Sequence, residues 1–268
     1  MSWLDNWVAA GLIPLAVWMV VSGLDDLAVD LVCVFQWLRG RVMGRGRSEW
    51  PRREALESGT EKRIAIFVPL WREERVIARM LEHNLAAIDY REYEVFLGAY
   101  PNDPATLAAA SEARRRFGRV RLVVCPHDGP TSKADCLNWI YQGMLIEEER
   151  RAIRFQVVVL HDAEDLIHPE SLRWINRLAD RYDMIQIPVL PLPTPHRKLT
   201  HGVYCDEFAE FQSRDLPVRQ ALGGFIPSCG VGTGYTRRAL ERLARTAANC
   251  VFDPGCLTED YEVGLRLR

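Results

Sequence analysis

The sequence predicts an α/β fold with a mostly parallel sheet, preceded by one membrane-spanning helix. From residue 64 onward, short apolar runs that suit buried strands alternate with stretches of helical periodicity. That alternation is typical of a parallel sheet with helices on both faces. Near the N-terminus, residues 7–24 carry no charge, and the run approaches the length needed to cross a bilayer.

The anchor is the first predicted element. No basic residue precedes the run 7–24 and no clear small-x-small site follows it, so it is not a good signal peptide. Asp5 precedes the run, whereas arginines follow between Arg39 and Arg53, which predicts an outside N-terminus and a cytoplasmic remainder. A buried core helix is the alternative for so short a run. Residues 27–38 either continue the helix or lie along the interface.

The predicted organisation is an anchor over 1–39, a basic linker over 40–62 and an α/β domain over 63–268. Strands are predicted over 64–69, 93–99, 121–125, 155–160 and 184–189, and helices over 72–88, 104–117, 132–150 and 169–182. The last helix has Pro169 at its first position. Sheets of this kind bind ligands at the carboxyl ends of their strands, where we expect the site.

Composition excludes some classes of function. Lys and Arg number 34 against 36 Asp and Glu, a formal net charge of -2 that argues against nucleic-acid binding. The cysteines are odd in number and form no Cys-x-x-Cys pair, which indicates reduced thiols in a cytosolic setting. They are Cys33, Cys125, Cys136, Cys205, Cys229, Cys250 and Cys256.

An acidic cluster follows the predicted strand 155–160. Asp162, Glu164 and Asp165 offer the oxygen ligands that Mg²⁺ or Mn²⁺ prefers. Zinc does not fit, because His161 and His168 lack a partner at ligand spacing. Capping of the next helix by acidic residues is the alternative interpretation.

A second acidic pair, Glu259 and Asp260, can supply a general base. The pair opens a helical pattern that continues through Val263, so a helix cap led by Thr258 is again the alternative. Lys133 begins another predicted helix, where a lysine and backbone N–H groups can bind an anion. A solvated surface lysine is the alternative there.

Five segments, in this order, carry a family resemblance: Pro69–Glu73, Lys133–Asn138, Asp162–Asp165, Cys229–Gly230 with Arg237–Leu240, and Thr258–Asp260. They resemble the motifs of the family-2 inverting glycosyltransferases, especially the membrane-bound processive kind related to cellulose and hyaluronan synthases. The likeness covers about residues 62–268. It implies the GT-A fold, a Rossmann-like mixed and mostly parallel sheet that binds nucleotide-diphospho-sugars.

The resemblance implies a nucleotide-sugar site formed by Pro69, Glu73, Asp103, Lys133 and Asp162. Asp103 departs from the family pattern. The family has Asp-Asp-Gly where this chain has the sequence Tyr-Pro-Asn-Asp-Pro, which is also a plausible turn and helix cap. This departure from the family pattern leaves open which base the bound nucleotide carries.

The resemblance also implies roles at the metal and acceptor. Asp162, Glu164 and Asp165 would hold Mg²⁺ or Mn²⁺, with Glu164 at the second position of the family's Asp-x-Asp. Asp260 would be the catalytic base and Glu259 the other catalytic candidate. Cys229 and Gly230 would bind the acceptor, and the glycine-rich loop 230–234 would let an acceptor sugar approach the backbone.

The implied function is transfer of a sugar with inversion, from a nucleotide-diphospho-sugar (a UDP-sugar by this likeness) to a growing surface glycan or exopolysaccharide. The implied location is the bacterial inner membrane, with the catalytic domain facing the cytoplasm. Residues 22–27 also resemble the bacteriophage adsorption protein B subgroup, which implies an outer-membrane export or receptor protein as a partner.

Two alternatives stay open. One is a non-catalytic inner-membrane scaffold with a transferase-like fold. The other is a sugar nucleotidyltransferase, although the first strand is not followed by a glycine-rich loop. The family's Gln/Arg-x-x-Arg-Trp motif does not follow Thr258–Asp260 within the 268 residues, so we expect a fragment with an incomplete acceptor side.

Overall fold

The structure, a computed structural model, describes residues 3–42, 56, 59–195, 197–247 and 249–268. They form two compact units. One comprises the described residues of Met1–Arg52 and Leu190–Gly224, and the other those of Arg53–Val189 and Phe225–Arg268. Most of the predicted linker 40–62 lies outside the described residues.

The elements follow in the order α1 (Trp3–Val42), β1 (Ile64–Pro69), α2 (Ile77–Ala87), β2 (Tyr93–Ala99), α3 (Pro104–Arg116), β3 (Val120–Val124), α4 (Lys133–Arg151), β4 (Val157–Leu160), α5 (Ser171–Leu178), β5 (Met184–Gln186), α6 (Leu199–Glu210), a π-helical turn (Phe211–Asp215), α7 (Leu216–Ala221), β6 (Thr233–Thr236), α8 (Arg237–Thr246) and α9 (Glu259–Arg266).

The first unit contains α1 and the segment from α6 to α7. At 1.5 Å per residue, α1 is about 60 Å long, and Pro14 lies within it. Residues 27–38 continue this helix without a break. Within the described part of the chain, α1 is the one helix that is long and apolar enough to cross a membrane.

The second unit contains a six-stranded sheet in the order β3-β2-β1-β4-β6-β5. Neighbouring strands among β1 to β4 pair in parallel, and β6 runs antiparallel to both β4 and β5. The mostly parallel α/β fold predicted from the sequence is therefore confirmed. Along β1, Ile64, Ile66 and Val68 join one apolar cluster, and Ala65 and Phe67 join another. Both faces of the strand are covered, which explains its continuous apolar run.

Helix α2 begins at Ile77, so the predicted start at Arg72 is wrong. The Arg72 backbone N–H donates to Asp103 Oδ2 at 2.6 Å, and the Glu73 N–H donates to Thr106 Oγ1 at 2.9 Å. These bonds hold the chain against the start of α3, and Arg72 takes a φ of 60°. Such a φ is incompatible with a right-handed helix.

Several other predicted boundaries are also wrong. Helix α5 begins at Ser171, so Pro169 precedes the helix instead of opening it. The Pro169 carbonyl accepts the Asp89 N–H at 3.0 Å. The strand predicted over 155–160 begins at Val157, and the one predicted over 184–189 ends at Gln186.

Strand β6 was not predicted, because it has four residues and contains a glycine. A Cβ at Gly234 would lie 2.7 Å from Ile175 Cγ2 of α5. Gly234 is therefore needed for close packing of this helix on the sheet. The sequence analysis expected the glycines of the loop 230–234 to let an acceptor sugar approach the backbone. At Gly234, packing against α5 is the reason for a glycine instead.

Asn138 ties α4 to the segment that leads into α9. The side chain is buried, and its amide donates to the Phe252 carbonyl at 2.7 Å. Its oxygen accepts the N–H groups of Val251 at 2.9 Å and Phe252 at 3.1 Å. One amide thus satisfies three buried backbone groups, which fixes where the chain approaches α9.

We expect Asn138→Ala to lower the free energy of unfolding by about 3 kcal/mol, because it leaves buried backbone groups without partners. Urea unfolding followed by circular dichroism measures the change. Gln142→Ala is the matched control, since the Gln142 side chain lies on the same helix and makes exposed hydrogen bonds to Asn249. Equal losses in the two variants would contradict this role of Asn138.

Candidate active site at the carboxyl edge of the sheet

The sheet brings distant segments to one edge. Strands β1 and β4 are parallel neighbours, so the residues after Pro69 and after Leu160 emerge on the same side. Strand β6 runs the opposite way, with Thr233 opposite Leu160, so its start lies at this edge too. The chain before β6 therefore arrives beside the acidic cluster that follows β4. The Gly232 N–H donates to the Leu160 carbonyl at 2.9 Å, so the loop that leads into β6 lies beside the end of β4.

Lys133 and Asp162 form the central ion pair of the site. Ser132 caps α4 by accepting the Asp135 N–H at 3.2 Å, which makes Lys133 the first helical residue. The Lys133 Nζ lies 2.6 Å from Asp162 Oδ1, and the two side chains are 31% and 39% exposed. The pair can therefore reach a ligand at a helix N-terminus, where backbone N–H groups favour anions.

Asp165 shapes the turn that presents Asp162. Its Oδ2 accepts the Asp162 N–H at 2.9 Å and lies 2.9 Å from His161 Nδ1. These contacts give Asp165 a positioning role, while Glu164 is exposed. A direct metal contact by Asp165 stays a prediction.

Carboxylates crowd this part of the site. Burial raises the pKa of Glu73, and repulsion from Glu164 and Asp162 raises it further. Within the described residues, no group of three or more His, Cys, Asp and Glu side chains is arranged to hold a metal by itself. Mg²⁺ sites often use one or two carboxylates and complete their shell with substrate phosphates and water. The oxygen-rich, like-charged cluster fits a cation bound in that way.

The second acidic pair faces the same site. Burial raises the pKa of Glu259, Lys133 lowers it, and Asp260 and Asp162 raise it. Lys133 and Asp162 therefore lie near enough to the start of α9 to influence the pKa of Glu259. Thr258 occupies the N-cap position without a side-chain capping bond, so the proposed Thr258 cap is not formed.

Gly230 lies directly against Asp260. Its φ is +74°, and a Cβ there would lie 2.7 Å from Asp260 Oδ2. The Gly230 N–H donates to Ser228 Oγ at 3.2 Å, and the Cys229 N–H donates to Gln186 Oε1 at 2.8 Å. Gln186 and Ser228 therefore hold the loop. Sequence reasoning missed both, because a lone glutamine and a lone serine carry no spacing signal.

We expect Gly230→Ala to reduce catalytic turnover by about 10²-fold, because the new methyl group and the unfavourable φ displace Asp260, and small misplacements have effects of that size. Gly118→Ala is the control, since nothing lies within 4 Å of a Cβ there. Initial-rate assays with melting curves separate lost activity from lost folding. Normal turnover in Gly230→Ala would contradict the close approach.

Asp103 acts as a cap in the structure. Its Oδ1 accepts the Thr106 N–H at 3.3 Å and its Oδ2 accepts the Arg72 N–H at 2.6 Å. Burial raises its pKa, but the hydrogen bonds from Thr106 and Arg72 outweigh burial and hold the pKa below the ordinary value. The capping interpretation is therefore confirmed. A nucleotide contact by Asp103 stays a prediction.

A cavity of about 380 Å³ opens beside the first turn of α4, lined in part by His127, Thr131 and Asp135. The Trp139 indole N–H donates to His127 Nε2 at 3.1 Å, and His127 Nε2 lies 3.3 Å from Asp135 Oδ2. Thr131 Oγ1 donates to Asp135 Oδ2 at 2.7 Å. The sequence analysis missed this network. The sequence feature that could have revealed the network is the cluster of polar residues on both sides of Lys133.

Comparison with known proteins identifies the family of this chain. A family model described as glycosyltransferase-like family 2 matches residues 62–268. The chain belongs to this family, which confirms the resemblance carried by the motifs.

Two characterised proteins are similar to this chain in sequence. The chain is 43% identical over 256 residues to bacteriophage adsorption protein B of Escherichia coli strain K12, and equally to bacteriophage N4 adsorption protein B of Escherichia coli O157:H7. The match covers 96% of this chain and 34% of each relative, so the chain spans about a third of their length.

A solved structure shares the fold. The mannosyltransferase PcManGT from Pyrobaculum calidifontis, in complex with GDP-Man and Mn²⁺, superposes with a TM-score of 0.51 at 18% sequence identity. The superposition covers 93% of this chain and 63% of that one. It confirms the GT-A-like α/β fold.

Proposed function

We propose that this chain is the donor-binding part of a membrane-anchored glycosyltransferase. It takes a sugar from a nucleotide-diphospho-sugar, with UDP as the proposed nucleotide, and transfers the sugar with inversion to a hydroxyl of a growing surface glycan. The observation that carries the proposal is the Lys133–Asp162 ion pair, 2.6 Å long, at the sheet edge where Glu259, Asp260 and Gly230 also meet.

The transfer needs a base on one side of the sugar and positive charge on the other. The acceptor hydroxyl oxygen attacks the anomeric carbon as the bond from that carbon to the diphosphate breaks. Asp260 takes the hydroxyl proton, and the bonding electrons leave with the nucleoside diphosphate. Lys133 and the N-terminus of α4 stabilise the charge that develops on the leaving group.

A divalent cation, Mg²⁺ or Mn²⁺, would be held by Asp162 and Glu164, with Asp165 positioning Asp162. When bound, it supplies Lewis-acid stabilisation of the diphosphate. The fit rests on the crowded carboxylates: burial raises the pKa of Glu73, repulsion from Glu164 and Asp162 raises it further, and a bound cation would relieve that repulsion.

A membrane anchor formed by α1 is supported by its length and composition. With the arginines after residue 39, we propose an outside N-terminus and a catalytic domain in the cytoplasm of a bacterial inner membrane. Reporter fusions after Arg53 are expected to behave as cytoplasmic. A fusion after Arg53 that reports a periplasmic location contradicts this topology, because nucleotide sugars are made in the cytosol.

Isothermal titration calorimetry with UDP, with and without Mn²⁺, tests the proposal. We expect UDP to bind in the presence of Mn²⁺ and to bind much more weakly when a chelator removes the metal. A non-catalytic scaffold predicts no metal-dependent nucleotide binding, so that result would overturn the proposal. Lys133→Ala is expected to weaken UDP binding, whereas Lys198→Ala, an exposed lysine on the other compact unit, is not.

A further inference from the structure

Two buried cysteines meet where β3 ends and α4 begins. Cys125 directly follows β3, Cys136 lies in the first turn of α4, and their Sγ atoms are 4.0 Å apart. Both side chains are buried, and the proposed transfer uses neither of them. A single buried cysteine usually serves as a small apolar side chain, but two thiols in contact can also join as a disulfide.

Backbone contacts hold the two thiols against the sheet. The Cys125 N–H donates to the Ala99 carbonyl of β2 at 2.8 Å, and the Cys136 N–H donates to the Ser132 carbonyl at 3.3 Å. A Cβ at Gly98 of β2 would lie 2.6 Å from Cys136 Sγ, so a glycine at this position makes room for the sulfur. The contact between the thiols is therefore built into the packing of α4 on β2.

The thiol pair shares a helical turn with the lysine of the candidate site. Lys133 precedes Cys136 by three residues, so the two side chains are neighbours on the surface of α4. The Lys133 Nζ lies 2.6 Å from Asp162 Oδ1. A movement of Cys136 therefore changes the position from which Lys133 reaches Asp162 and the ligand.

Formation of a disulfide requires such a movement. The sulfurs are 4.0 Å apart, whereas bonded sulfurs are about 2 Å apart. Cys125 is tied to the sheet, but the first turn of α4 borders the cavity of about 380 Å³ through Ser132 and Asp135. The turn is not packed on that side, so the start of α4 is the part that we expect to move.

The two thiols differ in acidity, which gives the pair a direction of reaction. A hydrogen bond from the Cys136 S–H stabilises the Cys125 thiolate and lowers the pKa of the Cys125 thiol, and burial opposes this effect. The same bond and burial raise the pKa of Cys136. Cys125 is therefore the thiol that ionises first, and the thiolate is the form that reacts with oxidants.

We propose that Cys125 and Cys136 are an oxidation site, at which hydrogen peroxide joins the two thiols as a disulfide that displaces Lys133 and weakens donor binding. The effect on the donor rests on the proposed function. Thiols in the cytosol are kept reduced, and disulfides that form there are usually transient and redox-sensing. The site would make donor binding sensitive to peroxide.

The reaction consumes one peroxide for each disulfide. The Cys125 thiolate attacks one peroxide oxygen, the O–O bond breaks, and the departing hydroxide takes up the thiol proton as water. Cys125 is then a sulfenic acid. The Cys136 sulfur attacks the Cys125 sulfur, the S–O bond breaks, and the hydroxyl group leaves with the Cys136 proton as a second water. The two thiols lose two electrons, and peroxide is reduced to two waters.

A peptide map of the whole chain tests for the disulfide. The protein is treated with hydrogen peroxide, alkylated and digested with trypsin without reduction. Cleavage after Lys133 places Cys125 in the peptide 122–133 and Cys136 in the peptide 134–150, with one cysteine in each. We expect mass spectrometry to find these two peptides linked, and dithiothreitol to separate them. Cys125→Ala should abolish the link, and Cys250→Ala, the matched control, should keep it.

Calorimetry with UDP and Mn²⁺, after removal of peroxide, tests the effect on the site. We expect oxidation to lower the affinity for UDP by about tenfold, the effect of weakening a hydrogen bond to a charged group, and dithiothreitol treatment followed by desalting to restore it. Cys125→Ala should bind UDP equally well before and after peroxide. This variant also controls for oxidation of Cys229, which lies beside Gly230 in the candidate site.

The outcomes separate the inference from the proposed function. Peroxide-treated protein without the linked peptides, or with Cys125 oxidised to sulfinic acid instead, would overturn the oxidation site while UDP binding stands. Linked peptides with unchanged affinity for UDP would overturn the displacement of Lys133. Absence of UDP binding in the reduced protein would overturn the proposed function and the effect on the donor, and the peptide map would still decide the disulfide.

Discussion

Asp260→Asn is expected to lower sugar transfer by about 10²–10⁴-fold, the usual effect of removing a general base. The amide keeps the shape of the carboxylate against Gly230 but cannot accept the acceptor proton. Affinity for UDP should stay unchanged, because the proposed donor contacts come from Lys133 and Asp162. Transfer from a radiolabelled UDP-sugar measures the rate, with donor hydrolysis as the second readout.

The matched control is Asp253→Asn, which changes an exposed carboxylate in the segment before α9. It should transfer at the normal rate. Normal transfer by Asp260→Asn would pass the role of base to Glu259. Burial of Glu259 raises its pKa, which suits a proton acceptor, and Glu259→Gln would then be the decisive variant.

Asp162→Ala is expected to weaken Mn²⁺-dependent UDP binding by roughly 10–100-fold, a range typical of disturbed metal sites. The variant removes a proposed metal ligand and also the partner that lies 2.6 Å from Lys133 Nζ. Calorimetric titration with UDP and Mn²⁺ measures the loss, and Asp253→Asn again serves as the control. Unchanged affinity in a folded Asp162→Ala protein would mean that the acidic cluster only shapes the turn before α5.

Much of the second unit could be predicted from the sequence. Strand β1 was predicted with its observed bounds, Ile64–Pro69, because a strand buried on both faces is apolar at nearly every position. The site motifs were predictable for a similar reason. The segments after β1 and β4 follow parallel strands, which end at the same edge. The segment before β6 and the start of α9 were predicted from the family resemblance alone.

Other features depend on contacts that local sequence does not encode. The late start of α2 follows from the bond between Arg72 and Asp103, a long-range contact. The acidic cluster predicted Asp165 as a possible metal ligand, but it could not predict that the Asp165 carboxylate also accepts the Asp162 N–H and closes the turn around Asp162. The grouping of Leu190–Gly224 with α1 had no periodic signal, because none of the residues of α6 is buried and the helix therefore lacks an apolar face packed on a core.

A crystal structure with UDP and Mn²⁺, with anomalous data collected near the manganese edge, tests the central claim most directly. The account predicts one strong anomalous peak at about 2.0–2.3 Å from an Asp162 carboxylate oxygen, a distance ordinary for a divalent cation bound by carboxylate. It also predicts the diphosphate beside Lys133 and Asp260 on the open side of the site. UDP bound elsewhere, or a metal peak away from Asp162, would contradict it.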